Sequence, residues 1–302
     1  MTRPIVVGVD GSPSSLDAVD LAARQARPRG ASLRVVHAFV WPYLGAPLGP
    51  SPVGPPEGGL QHDAERLLAE ALERARAAAP DLDVDGEIVT GMAAAVLVEE
   101  SRAATMIVLG DRGLGGFTGL LVGSVAVQLA AHAHCPVLVV RGRRQATGSV
   151  VLGVDGSPQG ALAVMHAFEE ASLRGADLLA VHAWLDPVPL QAGDVLPVLY
   201  ETDALEAEEA RLLAEAIAGC RERYPDVVVR EELVRAPARA CLIDRSAQAQ
   251  LMVLGTRGRG GIGGLLLGSV SQSLLHHADC PVLVVPSPSD TARPATRRPI
   301  VP

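Results

Sequence analysis

The 302-residue chain contains no lysine; all 26 of its basic residues are arginine. That absence excludes every mechanism built on an amine, including the GxxxxGK[ST] phosphate loop, whose lysine reaches the terminal phosphates. Aromatic residues make up only 3% of the chain, so its core has to come from Val, Leu, Ile and Ala. The four cysteines, Cys135, Cys220, Cys241 and Cys280, show no CxxC spacing. Reduced thiols are therefore expected, with neither a metal site nor a disulfide framework. No apolar run reaches the ~18 residues of a membrane span, and the first residues lack the apolar segment and cleavage site of a secretory leader. A cytoplasmic protein without membrane contact is the expectation. Excess positive charge is missing too: the net charge is −8, which argues against a nucleic-acid partner, because phosphates call for clustered basic residues.

What the chain does have is repetition. Shifted by 145 residues it lies on itself: Val6 to Pro13 falls on Val151 to Pro158 with seven of eight positions identical, and Val108 to Val140 falls on Val253 to Val285 with 22 of 33. A period this long is a domain duplication, since each unit can bury its own core. The predicted domains are 1–145 and 146–288, followed by a Pro- and Arg-rich tail, 289–302, expected to be disordered. Within the first copy, short β-branched runs (Ile5–Val9, Leu33–Phe39, Val84–Val89, Met106–Leu109, Val137–Val140) alternate with helical stretches (Leu16–Ala26, Leu60–Ala79, Ala93–Ala103, Ser124–Ala133). Continuous apolar strands alternating with helices predict an α/β fold: two tandem doubly wound domains, each with a five-stranded parallel sheet. Gly45–Gly59 and Trp184–Pro197 read as loops after the second strand of each copy.

Ligands of such sheets bind beyond the carboxyl ends of the strands, where the winding reverses. Two features of each copy meet there. The first strand ends in Asp10-Gly-Ser (Asp155-Gly-Ser), and the fourth opens the loop Gly110-x2-Gly113-x9-Gly123-Ser124 (Gly255-x2-Gly258-x9-Gly268-Ser269). Glycines at 110 and 113 are read as admitting φ > 0 and letting peptide N–H groups approach an anion. Gly123-Ser124 opens a helix, whose free N–H groups and dipole favour phosphate. Either feature alone is as readily a tight turn or an N-cap.

Together, and present twice, they resemble the ATP-binding branch of the universal stress protein family, over nearly all of both halves. The resemblance implies a Rossmann-like fold of that family's type, with one ATP and Mg²⁺ per domain and little or no hydrolysis. As binding residues it implies Gly8, Asp10, Ala38, Gly110, Arg112, Gly113, Gly116, Gly123, Ser124 and Val125 in the first half. In the second they are Gly153, Asp155, Ala183, Gly255, Arg257, Gly258, Gly261, Gly268, Ser269 and Val270. Phosphates fall on Gly113 and Gly123-Ser124, the ribose near Asp10 or Asp155, and adenine beside Ala38 or Ala183. His37 and His182, which precede those alanines, are read as structural. The family's habit of pairing through last strands implies that Val137–Val140 meets Val282–Val285 in a pseudo-dimer within one chain, and leaves a further homodimer open. The two sites differ at Leu114 against Arg259 and at Asp111 against Thr256, so the first is expected to be less positive.

The function that follows is a nucleotide-dependent stress-response switch or interaction module, read by an unidentified protein partner, with no catalytic residue. The alternatives are a slow ATPase or a dinucleotide-binding (NAD/FAD) enzyme, since Gly258-x-Gly260-x2-Gly263 fits GxGxxG. That pattern belongs after the first strand of a βαβ unit, whereas here it follows the fourth, and the first copy has Thr118 at its third glycine. No Ser/His/Asp or paired-carboxylate arrangement recurs in both copies to support a hydrolase.

Overall fold

The structure, a computed structural model, describes residues 2–40, 59–114, 122–143, 147–185, 202–259 and 266–287. Gly116, Gly261, the tail 289–302 and most of the loops Gly45–Gly59 and Trp184–Pro197 lie outside the described residues. The first half runs β1 (Ile5–Gly8), α1 (Pro13–Arg29), β2 (Leu33–Phe39), α2 (Leu60–Ala78), β3 (Val84–Thr90), α3 (Ala93–Glu100), β4 (Met106–Gly110), α4 (Ser124–His132) and β5 (Val137–Val140). The second repeats it as β6 (Val150–Val154), α5 (Ala161–Arg174), β7 (Leu178–Trp184), α6 (Thr202–Arg223), β8 (Val229–Arg235), α7 (Ala238–Ser246), β9 (Leu251–Gly255), α8 (Ser269–His277) and β10 (Val282–Val285).

Each half is a five-stranded, parallel, doubly wound sheet, as its apolar runs predict. The two halves join into one sheet ordered β3-β2-β1-β4-β5-β10-β9-β6-β7-β8. Alternate strand residues feed opposite faces. Ile5, Val7, Met106 and Val108 pack with the alanine stripe Ala18, Ala22 and Ala26 of α1 on one face. Val6, Ile107 and Leu109 pack against Leu129 of α4 on the other. Both faces are covered, which is why these strands lack polar alternation. α1 has proline at its first position and ends at Gly30 with φ 56°, a left-handed cap that glycine adopts without a Cβ penalty. Helix bounds depart from the sequence reading by a few residues: α1 begins at Pro13 and not Leu16, and α3 ends at Glu100 and not Ala103.

β5 and β10 pair antiparallel, with Leu138 opposite Leu283, so the two last strands do meet within one chain. Neither is left as an open apolar edge. Charge crosses the seam as well. Glu170 of α5, 1% exposed, receives hydrogen bonds from Gln25 of α1 at 3.0 Å, from Arg29 at 2.5 Å and from Arg174 at 2.9 Å. Beyond β5, Arg141 donates to the carbonyls of Leu274 and His276, both at 2.8 Å, at the C-terminus of α8, where a cation offsets the helix dipole.

Candidate functional site

In each half the turn after the first strand lies beside the loop after the fourth, and an aspartate ties them together. Asp10 Oδ1 accepts from Ser12 N at 3.0 Å and Oδ2 from Leu114 N at 2.8 Å. Asp155 does the same, accepting from Ser157 N at 3.0 Å, Ser157 Oγ at 2.8 Å and Arg259 N at 2.6 Å. Burial, the largest single effect on the Asp10 carboxyl, pushes its pKa up. The hydrogen bonds from Ser12 and Leu114 outweigh it and leave the group below its ordinary value. In each half the aspartate is a strut between the turn and the loop.

The strut explains one glycine of the loop. A Cβ at Gly113 would collide with Asp10 Oδ2, and one at Gly258 would come within 2.7 Å of Asp155 Oδ2. Cβ atoms at Gly8 and Gly153 would meet the side-chain ends of Leu97 at 2.7 Å and Leu254 at 2.5 Å, which would have to shift. The expectation that Gly110 and Gly113 use φ > 0 is not met. Positive φ falls on Gly11 (83°) and Gly156 (69°), in the turn after the first strand. Gly110, Gly113 and Gly258 are held to glycine by close approach, and the backbone reversal belongs to the Asp-Gly-Ser turn.

The second half encloses a cavity of about 420 Å³. It is lined by Gly153, Val154 and Asp155 from the end of β6, by Val181, His182, Ala183 and Trp184 of β7, by Gly255, Arg257, Gly258 and Arg259 at and after the end of β9, and by Gly268, Ser269 and Val270. These last residues open α8. Gly268 N is spent on Thr256 O at 2.7 Å, but no side chain caps the helix and no acid sits in its first turn. The first turn therefore presents peptide N–H groups and the positive end of the dipole to the cavity, as an anion requires. In the first half Gly8, Asp10, Ala38, Gly110, Arg112, Gly113 and Val125 line a cavity of about 110 Å³. Gly123 and Ser124 open α4 in the same way.

His37 and His182 each place Nδ1 against a strand-end carbonyl, Val9 O at 2.8 Å and Val154 O at 2.7 Å. His182 also lines the cavity and meets Glu209 Oε2 through Nε2 at 2.7 Å. Sequence reasoning missed Glu209, Trp184, Ala238 and Leu242, all part of the second cavity wall. One signal was available for Glu209: in the 145-residue register it stands opposite Ala64, just as Arg259 stands opposite Leu114. The extra cation of the second site has a counter-anion, Glu209 Oε2 lying 3.6 Å from Arg259.

Among the described residues no three or more His, Cys, Asp or Glu side chains are grouped to hold a metal ion, and no helix is long and apolar enough to cross a membrane. The four cysteines are free, and burial pushes the thiols of Cys135 and Cys280 up to about 12, which removes the thiolate a nucleophile needs.

A universal stress protein of Mycobacterium bovis is 40% identical, over 96% of this chain and 97% of its own. The crystal structure of a universal stress protein from Archaeoglobus fulgidus covers 94% of this chain and 96% of its own, with TM-score 0.66 at 17% identity. A shorter solved universal stress protein, in complex with cAMP, aligns with 46% of this chain and 97% of its own at 30% identity and TM-score 0.37. The universal stress protein family itself matches twice, over residues 1–141 and 147–286, and the chain belongs to that family as a tandem, two-domain member.

Proposed function

We propose that each half binds one ATP, with Mg²⁺ carried on its phosphates, and that the protein holds the nucleotide as a switch read by a protein partner and does not consume it. The observation that carries this reading is the second cavity. Uncapped N–H groups of α8, Gly258 and Arg257 make one end suited to phosphates, while Val181, Ala183 and Leu242 give the other an apolar lining suited to a base. Asp10 and Asp155 keep the glycine loops in place beside the ribose. With no protein metal cage among the described residues, Mg²⁺ is bound through the phosphates. The lysine-free chain brings little to stabilise a phosphoryl-transfer transition state. In this reading the protein is cytoplasmic, with domains 1–145 and 146–288.

Calorimetric titration of nucleotide-free protein with Mg·ATP is expected to give about two sites per chain, with ATP recovered intact. Absence of binding overturns the nucleotide assignment. An ATPase turnover in the ~1–10³ s⁻¹ range of ordinary enzymes overturns the switch.

A further inference from the structure

We infer, resting on the nucleotide reading above, that Glu209 is a sugar-recognising residue of the second site, and that this site requires a ligand hydroxyl which the first site does not. Glu209 joins the two ends of one cavity. Through His182 it touches the end of β7, where the base-side residues Ala183 and Trp184 lie. Through Arg259 it touches the loop of Gly258, on the phosphate side. A nucleotide with its base and phosphates at those ends has its sugar in between, against Glu209.

The carboxylate is held there. Val154 O can only accept, so His182 Nδ1 carries a proton. That bond, at 2.7 Å, fixes the ring so that Nε2 faces Glu209 Oε2. The 2.7 Å contact takes a proton on Nε2 or on Oε2 and so engages Oε2, whereas Oε1 has no hydrogen-bond partner among the described residues. Asp155 is already committed on both oxygens, to Ser157 and to Arg259 N. Glu209 Oε1 is the acceptor that this wall offers to a ligand.

The first half keeps the histidine and loses the rest. His37 Nδ1 faces Val9 O at 2.8 Å, but Ala64 replaces Glu209 and Leu114 replaces Arg259. Asp10, like Asp155, accepts on both oxygens, and no carboxylate stands at position 64. A sugar hydroxyl donating to a carboxylate makes a charge-assisted bond, and a deoxy analogue leaves the carboxylate desolvated with nothing in return.

The test uses the full-length chain. Trp184 lines the second cavity, and with Trp41→Phe it is the single tryptophan, so its emission reports the second site. Titration with ATP, 2′-deoxyATP and 3′-deoxyATP is expected to show at least one deoxy analogue binding about tenfold or more weakly than ATP. In Glu209→Ala, which installs the residue of the first half, ATP and both analogues should bind alike. Equal binding of all three to the Glu209 chain overturns the inference without any further variant, and so does a deoxy penalty that survives in Glu209→Ala. If no nucleotide changes the emission or evolves heat, the nucleotide reading fails and takes this one with it. If ATP binds and the analogues match it, only the role of Glu209 falls.

Discussion

A methyl group added at Gly110 and one added at Gly255 meet different surroundings, although the two glycines occupy the same place in the repeat. At Gly110 it collides with the backbone and Oγ of Ser14, at the start of α1. At Gly255 the nearest heavy atom is Arg257 O, 3.4 Å away. Backbone cannot yield as a flexible side chain can, so Gly110→Ala should cost about 1–3 kcal/mol through overpacking. Gly255→Ala should fold with its melting temperature nearly unchanged. Scanning calorimetry of the two variants checks this, and equal losses would refute it. Both glycines are plain in the sequence, yet the reason for each is not, because Ser14 and Gly110 lie 96 positions apart and meet only through the fold. The positive-φ reading failed for the same reason: a glycine needed for close approach and one needed for a left-handed turn look identical in a sequence. Only the conformation separates Gly11 and Gly156 from Gly110 and Gly113.

Helices α1 and α5 follow the same Asp-Gly-Ser-Pro turn but start differently. Ser12 caps α1, its Oγ accepting from Ser15 N and donating to Arg112 O, both at 3.2 Å. In the second copy Ser157 Oγ turns to Asp155 Oδ1, Gly160 replaces Ser15, and a 3₁₀ turn over Pro158–Gly160 precedes α5. Ser12→Ala should therefore cost about 1 kcal/mol, and Ser157→Ala less, since the latter hydroxyl caps no helix. Urea midpoints at unchanged slope measure the difference, and a larger loss for Ser157→Ala would contradict it. The central strands were legible because their apolar runs are buried on both faces, leaving one reading of their period, whereas the edge strands β3 and β8 carry exposed residues. Boundaries were less so: the Ser-Pro start of α1 is a cap signal, while the apolar pattern used to place that helix begins only at Leu16. The second cavity wall was largely illegible, since Glu209 reaches it from a helix that shows only a surface pattern in the sequence.

The two halves are held together by more than their last strands. Gln25 and Glu170 are equivalent positions, as are Arg29 and Arg174, so one carboxylate and one amide face each other across the pseudo-two-fold axis with an arginine on either side. Removing the acid leaves two guanidinium groups without their shared anion. Glu170→Ala should cost about 3–5 kcal/mol, seen in calorimetry as a lower melting temperature for the whole chain. A loss below about 1 kcal/mol would mean that the seam relies on β5 and β10 alone. The antiparallel joint between these strands has a consequence for traffic in and out of the molecule. Every strand of the first half runs opposite to every strand of the second, so the two cavities open on opposite rims of one sheet. They are offset by roughly 20 Å along it, four strand spacings. A macromolecule that plugs one mouth leaves the other facing bulk solvent, and two visitors can dock back to back without touching. News of one reaches the other only through the shared girder between them.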